Sequence, residues 1–282
     1  MTAGTDRTAG RIASGLTAVL VMALIANCGG GRGQLFEKTI PAPSLRGNSI
    51  GEPVEQPIAV YLPPGYASDA ARYPVVYFVP DRGSDMSDFL DGTYQGFELV
   101  EAMDRLIDDG TIQKMIVVLL NGRNVRGEGF FSASPAEGNW GRFLVRDVVR
   151  YVDREYKTIP YQETRGIAGH GSGANGALRT AMGYPGVFSA VYAIDPGLAG
   201  DADDRIRAYA ELAPDFDEIV IEFGSEEGDD TPAARYRYLS DRLAEAGVSS
   251  EVIRFDGDSG DKLRERIEDH VLPFFSGALV VD

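Results

Sequence analysis

The predicted fold depends most on the stretch Arg165-Gly-Ile-Ala-Gly-His-Gly-Ser-Gly-Ala-Asn-Gly-Ala-Leu-Arg179. A strand-like run over residues 164–168 enters it, and residues 174–182 leave it with a helix-like pattern. Between the two lies Gly169-His170-Gly171-Ser172-Gly173, which is made almost entirely of small residues. Glycine tolerates the backbone conformations and the close approaches that a sharp turn needs. The stretch therefore predicts a strand that turns abruptly into a helix.

Strand-like and helix-like segments alternate on both sides of this turn. Continuous apolar runs such as Tyr73–Val79 are typical of strands that are buried on both faces. Strands are predicted at 58–62, 73–79, 115–120, 188–194, 219–223 and 251–255, and helices at 97–107, 141–156, 203–212, 232–246 and 262–275. Residues 34–51 are weakly patterned and leave room for an edge strand. The alternation predicts a single α/β domain, with a mainly parallel sheet and helices on both faces.

Composition and charge exclude several classes of function. The chain has 282 residues, 44% of them hydrophobic, and this length can bury a substantial core. Its net charge of −16 disfavours nucleic acid as a partner, because the phosphates would be repelled. One cysteine excludes an intrachain disulfide. With two histidines and no CxxC pair, we predict no metal site and no cofactor.

The first 28 residues are typical of a targeting segment. Arg7 and Arg11 precede an apolar run that ends at Ile25-Ala-Asn-Cys28, which resembles a bacterial lipobox. We therefore expect lipidation of Cys28 and an exported protein anchored on the extracytoplasmic side of a membrane. Asn27 departs from the usual small residue, so an ordinary secretory signal or an uncleaved anchor is the alternative. The predicted organisation is a signal peptide at 1–28, a tether and N-terminal segment at 29–56, and one domain at 57–282.

Several motifs together resemble the putative-esterase family of α/β-hydrolases, which includes esterase D, feruloyl esterases, enterochelin esterases and mycolyltransferases. The resemblance covers nearly all of the chain that follows the signal segment. It implies an α/β-hydrolase fold with a catalytic serine, acid and histidine in that chain order. The motifs are Val60-Tyr-Leu-Pro-Pro-Gly-Tyr66, Tyr73-Pro-Val-Val-Tyr77, Met115-Ile-Val-Val118, residues 143–158, Gly166-Ile-Ala-Gly-His170, Gly176-Ala-Leu-Arg179, Tyr184-Pro-Gly-Val-Phe188 and Leu272-Pro-Phe-Phe-Ser276.

The positions that carry chemistry in this family depart from its pattern. The family's turn reads G-x-S-x-G, and here Gly171 stands at the position of the nucleophilic serine. Glu227 stands for the catalytic acid, which is a mild departure. Ser259 or Asp258 stands where the resemblance places the histidine base. Pro80-Asp81 replaces the His-Gly pair that shapes the oxyanion loop.

These departures predict a protein that has kept the fold and lost the hydrolytic triad. Its role would then be to bind a small molecule or an envelope protein, and acidic loops near the cleft favour a neutral or cationic ligand. The alternative is an active serine esterase or acyltransferase that uses Ser172 as a displaced nucleophile. Ser172 would need a base, and we expect neither His170 nor His270 to serve. At a helix N-terminus, a serine is more commonly a cap.

Overall fold

The computed structural model of the protein describes residues 31–82, 84–126, 135–197, 218–225, 231–245, 247–258, 260 and 262–279. Within them eight strands form one sheet in the order β1-β2-β4-β3-β5-β6-β7-β8. The strands are β1 (Gln34–Pro41), β2 (Glu55–Leu62), β3 (Val75–Val79), β4 (Ile116–Leu120), β5 (Arg165–His170), β6 (Ala190–Ile194), β7 (Glu218–Ser225) and β8 (Ser250–Asp256). Neighbouring strands in the part β4-β3-β5-β6-β7-β8 are all parallel. Strand β2 is antiparallel to both of its neighbours, β1 and β4.

In the described part of the chain, five longer helices pack against this sheet. They are α1 (Leu99–Asp108), α2 (residues 140–155), α3 (Ser172–Gly183), α4 (Thr231–Glu245) and α5 (residues 263–278). Two of them contain a π-helical segment, at Phe143–Val148 in α2 and at Ile267–Val271 in α5. The helix predicted at 203–212 lies outside the described residues. The other predicted strands and helices are found within a few residues of their predicted bounds.

The apolar residues of the strands divide into two cores because successive side chains point to opposite faces of a sheet. In β3, Tyr77 belongs to the core beneath α2, α3 and α4, whereas Phe78 belongs to the core beneath α1 and α5. Every residue of β3 and β4 is buried, as the continuous apolar runs predict. The prediction of an α/β domain with helices on both faces of a mainly parallel sheet is confirmed.

The N-terminal part of the described chain forms the edge of the sheet. β1 lies within the predicted tether and N-terminal segment, and it pairs with β2 along its whole length. Most of its residues are exposed. The chain enters it at Gly33, whose N–H donates to the carboxylate of Asp104 on α1 at 3.0 Å. Among the described residues, no helix is both long and apolar enough to cross a membrane.

The parallel pairing of β3 with β5 brings the loop after β3 against the first turn of α3. Gly173 lies in that turn, and a Cβ atom built on it would lie 2.8 Å from the carbonyl carbon of Val79. The same Cβ would also overlap the carbonyl oxygens of Val79 and Pro80. Because these neighbours are backbone atoms, they cannot rotate away. Position 173 therefore accepts only glycine without movement of the sheet edge.

We predict that Gly173→Ala lowers the free energy of unfolding by about 1–3 kcal/mol, because overpacking forces the backbone to shift. Gly183→Ala in the same helix is the matched control, since no atom lies within 4 Å of its built Cβ. That change should be neutral or stabilise the protein by up to about 1 kcal/mol, because alanine favours helix. Urea unfolding of both variants measures the difference. Equal effects of the two substitutions would refute the close contact.

Candidate functional site

The sharp turn predicted from the sequence lies between β5 and α3. Gly171 forms its tip, with φ of 56° and ψ of −119°, a conformation that L side chains rarely adopt. Its N–H donates to the carbonyl oxygen of Ile194 at the end of β6, at 2.9 Å. Ser172 is the first residue of α3. The turn thus has the strained strand-to-helix form of a nucleophile elbow, with no side chain at the tip.

The loop after β3 closes over this tip. Ser172 donates its backbone N–H to Oδ1 of Asp81 at 2.7 Å, and Arg82 donates its backbone N–H to Oγ of Ser172, also at 2.7 Å. A Cβ atom built on Gly171 would lie 2.5 Å from Cγ of Asp81 and 3.0 Å from its Oδ2. The carboxylate of Asp81 therefore occupies the space that a side chain at position 171 would need.

His170, the last residue of β5, has both ring nitrogens near polar partners. Its Nδ1 is hydrogen-bonded to the hydroxyl of Tyr94, and its Nε2 lies 3.8 Å from Oδ2 of Asp195. Burial lowers the pKa of His170, because the charged ring is poorly solvated there. The negative charges of Asp81 and Asp195 favour the protonated ring, but the effect of burial is larger. The neutral imidazole is consequently the favoured form.

The second histidine lies elsewhere. His270 is on α5, and its Nδ1 lies 2.6 Å from Oε2 of Glu222 in β7. Both histidines of the chain are among the described residues, and neither is hydrogen-bonded to Ser172. That neither residue serves as a base for Ser172 stays a prediction.

A buried ionic cluster, which the sequence analysis missed, joins the ends of neighbouring strands. Asp195 follows β6 with a positive φ of 47°, and it accepts hydrogen bonds at 2.6 Å from the N–H of Gly224 and at 3.0 Å from that of Gly260. Arg266 Nη1 donates to Asp195 Oδ2 at 2.7 Å. One carboxylate therefore holds β7, the loop after β8 and α5 together.

The same arginine also pairs with the second carboxylate of the cluster. Arg266 Nε pairs with Oε1 of Glu222, and both side chains are 0% exposed. Glu222 Oε2 accepts a hydrogen bond from the hydroxyl of Tyr192 at 2.5 Å. Burial by itself lowers the pKa of Arg266, but the hydrogen bonds and negative charges of Asp195 and Glu222 raise it further, so the net shift is upward. The cation is needed because two buried carboxylates without a partner would be costly.

A signal for this cluster is present in the sequence. Glu222 interrupts the apolar run of β7, Ile219-Val-Ile-Glu-Phe223, and charged residues are rarely buried unless they are paired. Asp195 likewise follows a strand in which every residue is buried. Both positions therefore indicated buried carboxylates that need a cation. The sequence does not indicate which of the 27 lysines and arginines supplies it.

The structure brings together four of the residues that the sequence singled out: Gly171, Ser172, Pro80 and Asp81. The proposed acid and base equivalents, Glu227 and Ser259, and the lipidation site Cys28 lie outside the described residues. Asp258 is described, and its backbone carbonyl group packs against Gly224.

The acidic loop after β3 is partly occupied by its own hydrogen bonds. Asp85 and Asp88 form a reciprocal capping box around the short 3-10 helix Met86–Phe89. Asp91 accepts a hydrogen bond from the N–H of Thr93 at 3.0 Å. In the described part of the chain, no group of three or more metal-ligating side chains is assembled. The loop carboxylates therefore act as caps of local turns.

The sheet order and the strand-to-helix elbow define the chain as an α/β-hydrolase fold. Solved structures of similar fold include a ferulic acid esterase, with a TM-score of 0.70 and 18% identity, covering 88% of this chain and 99% of that one. They also include an S-formylglutathione hydrolase from Agrobacterium tumefaciens, with a TM-score of 0.66 and 16% identity, covering 90% and 98%. At these identities the likeness concerns the fold alone.

The family follows from the sequence itself. The model of the Putative esterase family matches residues 48–205, which is more than half of the chain. The protein belongs to this family. It is also 27% identical over 134 residues to an esterase of Mycobacterium tuberculosis, an alignment that covers 47% of this chain. The chain spans only 27% of the length of that relative.

We predict that Arg266→Met lowers the free energy of unfolding by about 3–5 kcal/mol, because it leaves Asp195 and Glu222 buried without a cation. Arg264→Met is the control. Arg264 pairs with Glu268 on the same helix and is 47% exposed, so its removal should cost less than about 1 kcal/mol. Urea denaturation of the two variants gives both values. Similar losses would show that the buried cluster contributes no special stability.

Proposed function

We propose that the protein is a non-hydrolytic member of its family, exported and anchored to a membrane through Cys28, that binds a ligand or an envelope partner. The observation that carries this proposal is the absence of a side chain at the tip of the elbow. Ester hydrolysis through an acyl-enzyme needs a nucleophile there, and Gly171 has none to offer. The fold and the turn that would present a nucleophile are nevertheless retained.

The position of Ser172 also supports the proposal. Its hydroxyl begins α3 and accepts the N–H of Arg82, and its own N–H is directed to Asp81. A serine hydroxyl is a weak nucleophile unless a neighbouring base removes its proton. His170 and His270 are instead engaged with Tyr94 and Glu222. Ser172 thus connects the first turn of α3 to the loop after β3 through its hydroxyl and its backbone N–H.

The charges near the elbow bear on the class of ligand. Asp195 and Glu222 share one cation, Arg266, whereas Asp81 Oδ2 accepts no hydrogen bond among the described residues. A free carboxylate oxygen attracts donors and repels anions. The ligand we propose is therefore neutral or cationic where it meets the elbow. An envelope protein would need to present a similar group.

The proposed absence of hydrolysis predicts that the full chain forms no covalent adduct with a fluorophosphonate probe. Turnover of a short p-nitrophenyl ester should equal that of the Ser172→Ala variant, because Ser172 has no base. Intact mass spectrometry and the release of p-nitrophenol measure the two quantities. A stoichiometric adduct on Ser172, with turnover lost in Ser172→Ala, would instead establish the displaced nucleophile and an active esterase or acyltransferase.

The proposed anchor predicts that the full chain, expressed in a bacterial host, incorporates an alkyne fatty acid and pellets with membranes. Cys28→Ser should abolish the label, because the chain has no other cysteine. Loss of the label together with release into the soluble exported fraction is the expected result. A wild-type chain that is exported, soluble and unlabelled would replace the lipoprotein with a secreted protein.

A further inference from the structure

The carboxylate of Asp81 lies where an ester substrate would have to react. In an α/β-hydrolase the oxyanion is held by the N–H of the residue after the nucleophile and by a second N–H from the loop after β3. Here those groups are the N–H of Ser172 and, in the loop after β3, the N–H of Arg82. The first is bonded to Asp81 Oδ1 and the second to Ser172 Oγ, each at 2.7 Å.

We propose that Asp81 is a built-in blocking group that excludes both a side chain at position 171 and an anion at the elbow. This inference rests on the proposed non-hydrolytic function and explains how the site is closed to ester chemistry. Asp81 adds a second block to the missing serine. A serine introduced at position 171 would collide with the carboxylate, and the carbonyl oxygen of an ester attacked by that serine would find the Ser172 N–H already bound.

The steric part of the block rests on the overlap at Gly171. The Cγ atom and both carboxylate oxygens of Asp81 lie within 3.0 Å of a Cβ atom built there. Asp81 could yield only by losing its bond to Ser172, which is a charge-assisted hydrogen bond at a helix N-terminus. The substitution of Gly171 and the removal of Asp81 must therefore be energetically coupled.

The electrostatic part of the block rests on the chemistry of the Asp81 carboxylate, which occupies the place of an oxyanion. A carboxylate that accepts the Ser172 N–H resembles the oxyanion of a tetrahedral intermediate in charge and in its hydrogen bond. Its removal would leave this N–H without a partner. A small free carboxylate such as formate has the same accepting group and can replace it. The wild-type protein, with Asp81 present, should not respond to formate.

The first test is a double-mutant cycle on the full chain, read as the melting temperature. Gly171→Ala should lower it by about 5 °C more in the wild-type background than in the Asp81→Ala background. Backbone strain at position 171 is present in both backgrounds and cancels in this difference. Gly110→Ala is the control and should have the same effect in both backgrounds, since no atom lies within 4 Å of its built Cβ. Equal effects of Gly171→Ala in the two backgrounds would overturn the steric block.

The second test uses sodium formate against sodium chloride of equal ionic strength. Formate should raise the melting temperature of Asp81→Ala by about 3 °C, and leave the wild type and Asp108→Ala unchanged. Asp108 is an exposed carboxylate at the end of α1 and controls for the change in net charge. Equal responses of the two alanine variants would overturn the anion block.

Neither test measures catalysis, so the outcomes separate the two proposals. An adduct on Ser172 in the wild type would refute the non-hydrolytic function and leave the melting data to decide the role of Asp81. Conversely, absence of both the coupling and the formate response would refute the blocking role while the probe experiment still stands.

Discussion

Backbone groups approach one another at the turn between β5 and α3 so closely that side chains are excluded. Built Cβ atoms on Gly169, Gly171 and Gly173 would meet, respectively, the first turn of α3, the carboxylate of Asp81 and the carbonyl groups of Val79 and Pro80. This constraint allows α3 to begin directly over the edge of the sheet. It also allows the loop after β3 to reach the helix N-terminus, where the N–H groups of Ser172 and Arg82 are satisfied. The geometry of the whole site follows from this contact.

A second constraint is electrostatic and is met by one arginine. The fully buried side chain of Arg266 lies between two carboxylates, that of Asp195 at the end of β6 and that of Glu222 within β7. Through Asp195 the cluster reaches the backbone of Gly224 and Gly260 and approaches His170. The ion pair thus fixes β6, β7, α5 and the described part of the loop after β8 relative to one another.

Membership of an esterase family does not by itself assign an activity to this chain. Fold and function are separable, because function resides in a few side chains on a common scaffold. The relatives with similar folds share 16–18% identity with this chain, which is evidence about the backbone alone. The residues that decide the activity lie in one turn and one loop. There, the structure shows a glycine at the tip of the turn and an aspartate carboxylate packed over it.

Much of the architecture could be predicted because it depends on short-range patterns. The buried runs of β3 and β4, the spacing of apolar residues in α1 and the glycines of the elbow all indicate their own local structure. The prediction that Gly171 and Pro80-Asp81 stand at functional positions of the family also came from the sequence. The contact between Asp81 and Ser172 did not, because it joins residues 91 apart. Likewise Arg266 and Asp195 are 71 residues apart, and many other cations could have been the partner.

The sequence alone therefore determined the α/β class and the order of the elements, and it predicts that the positions of the family's serine and histidine are filled by other residues. These are properties of the residues themselves and of their nearest neighbours. The tertiary structure decided which side chains lie over the elbow and between the buried carboxylates. Only the parallel pairing of β3 with β5 places the Asp81 carboxylate over Gly171, and only the packing of α5 against the sheet places Arg266 between two buried carboxylates. Such contacts depend on distances between chain segments that local patterns do not encode.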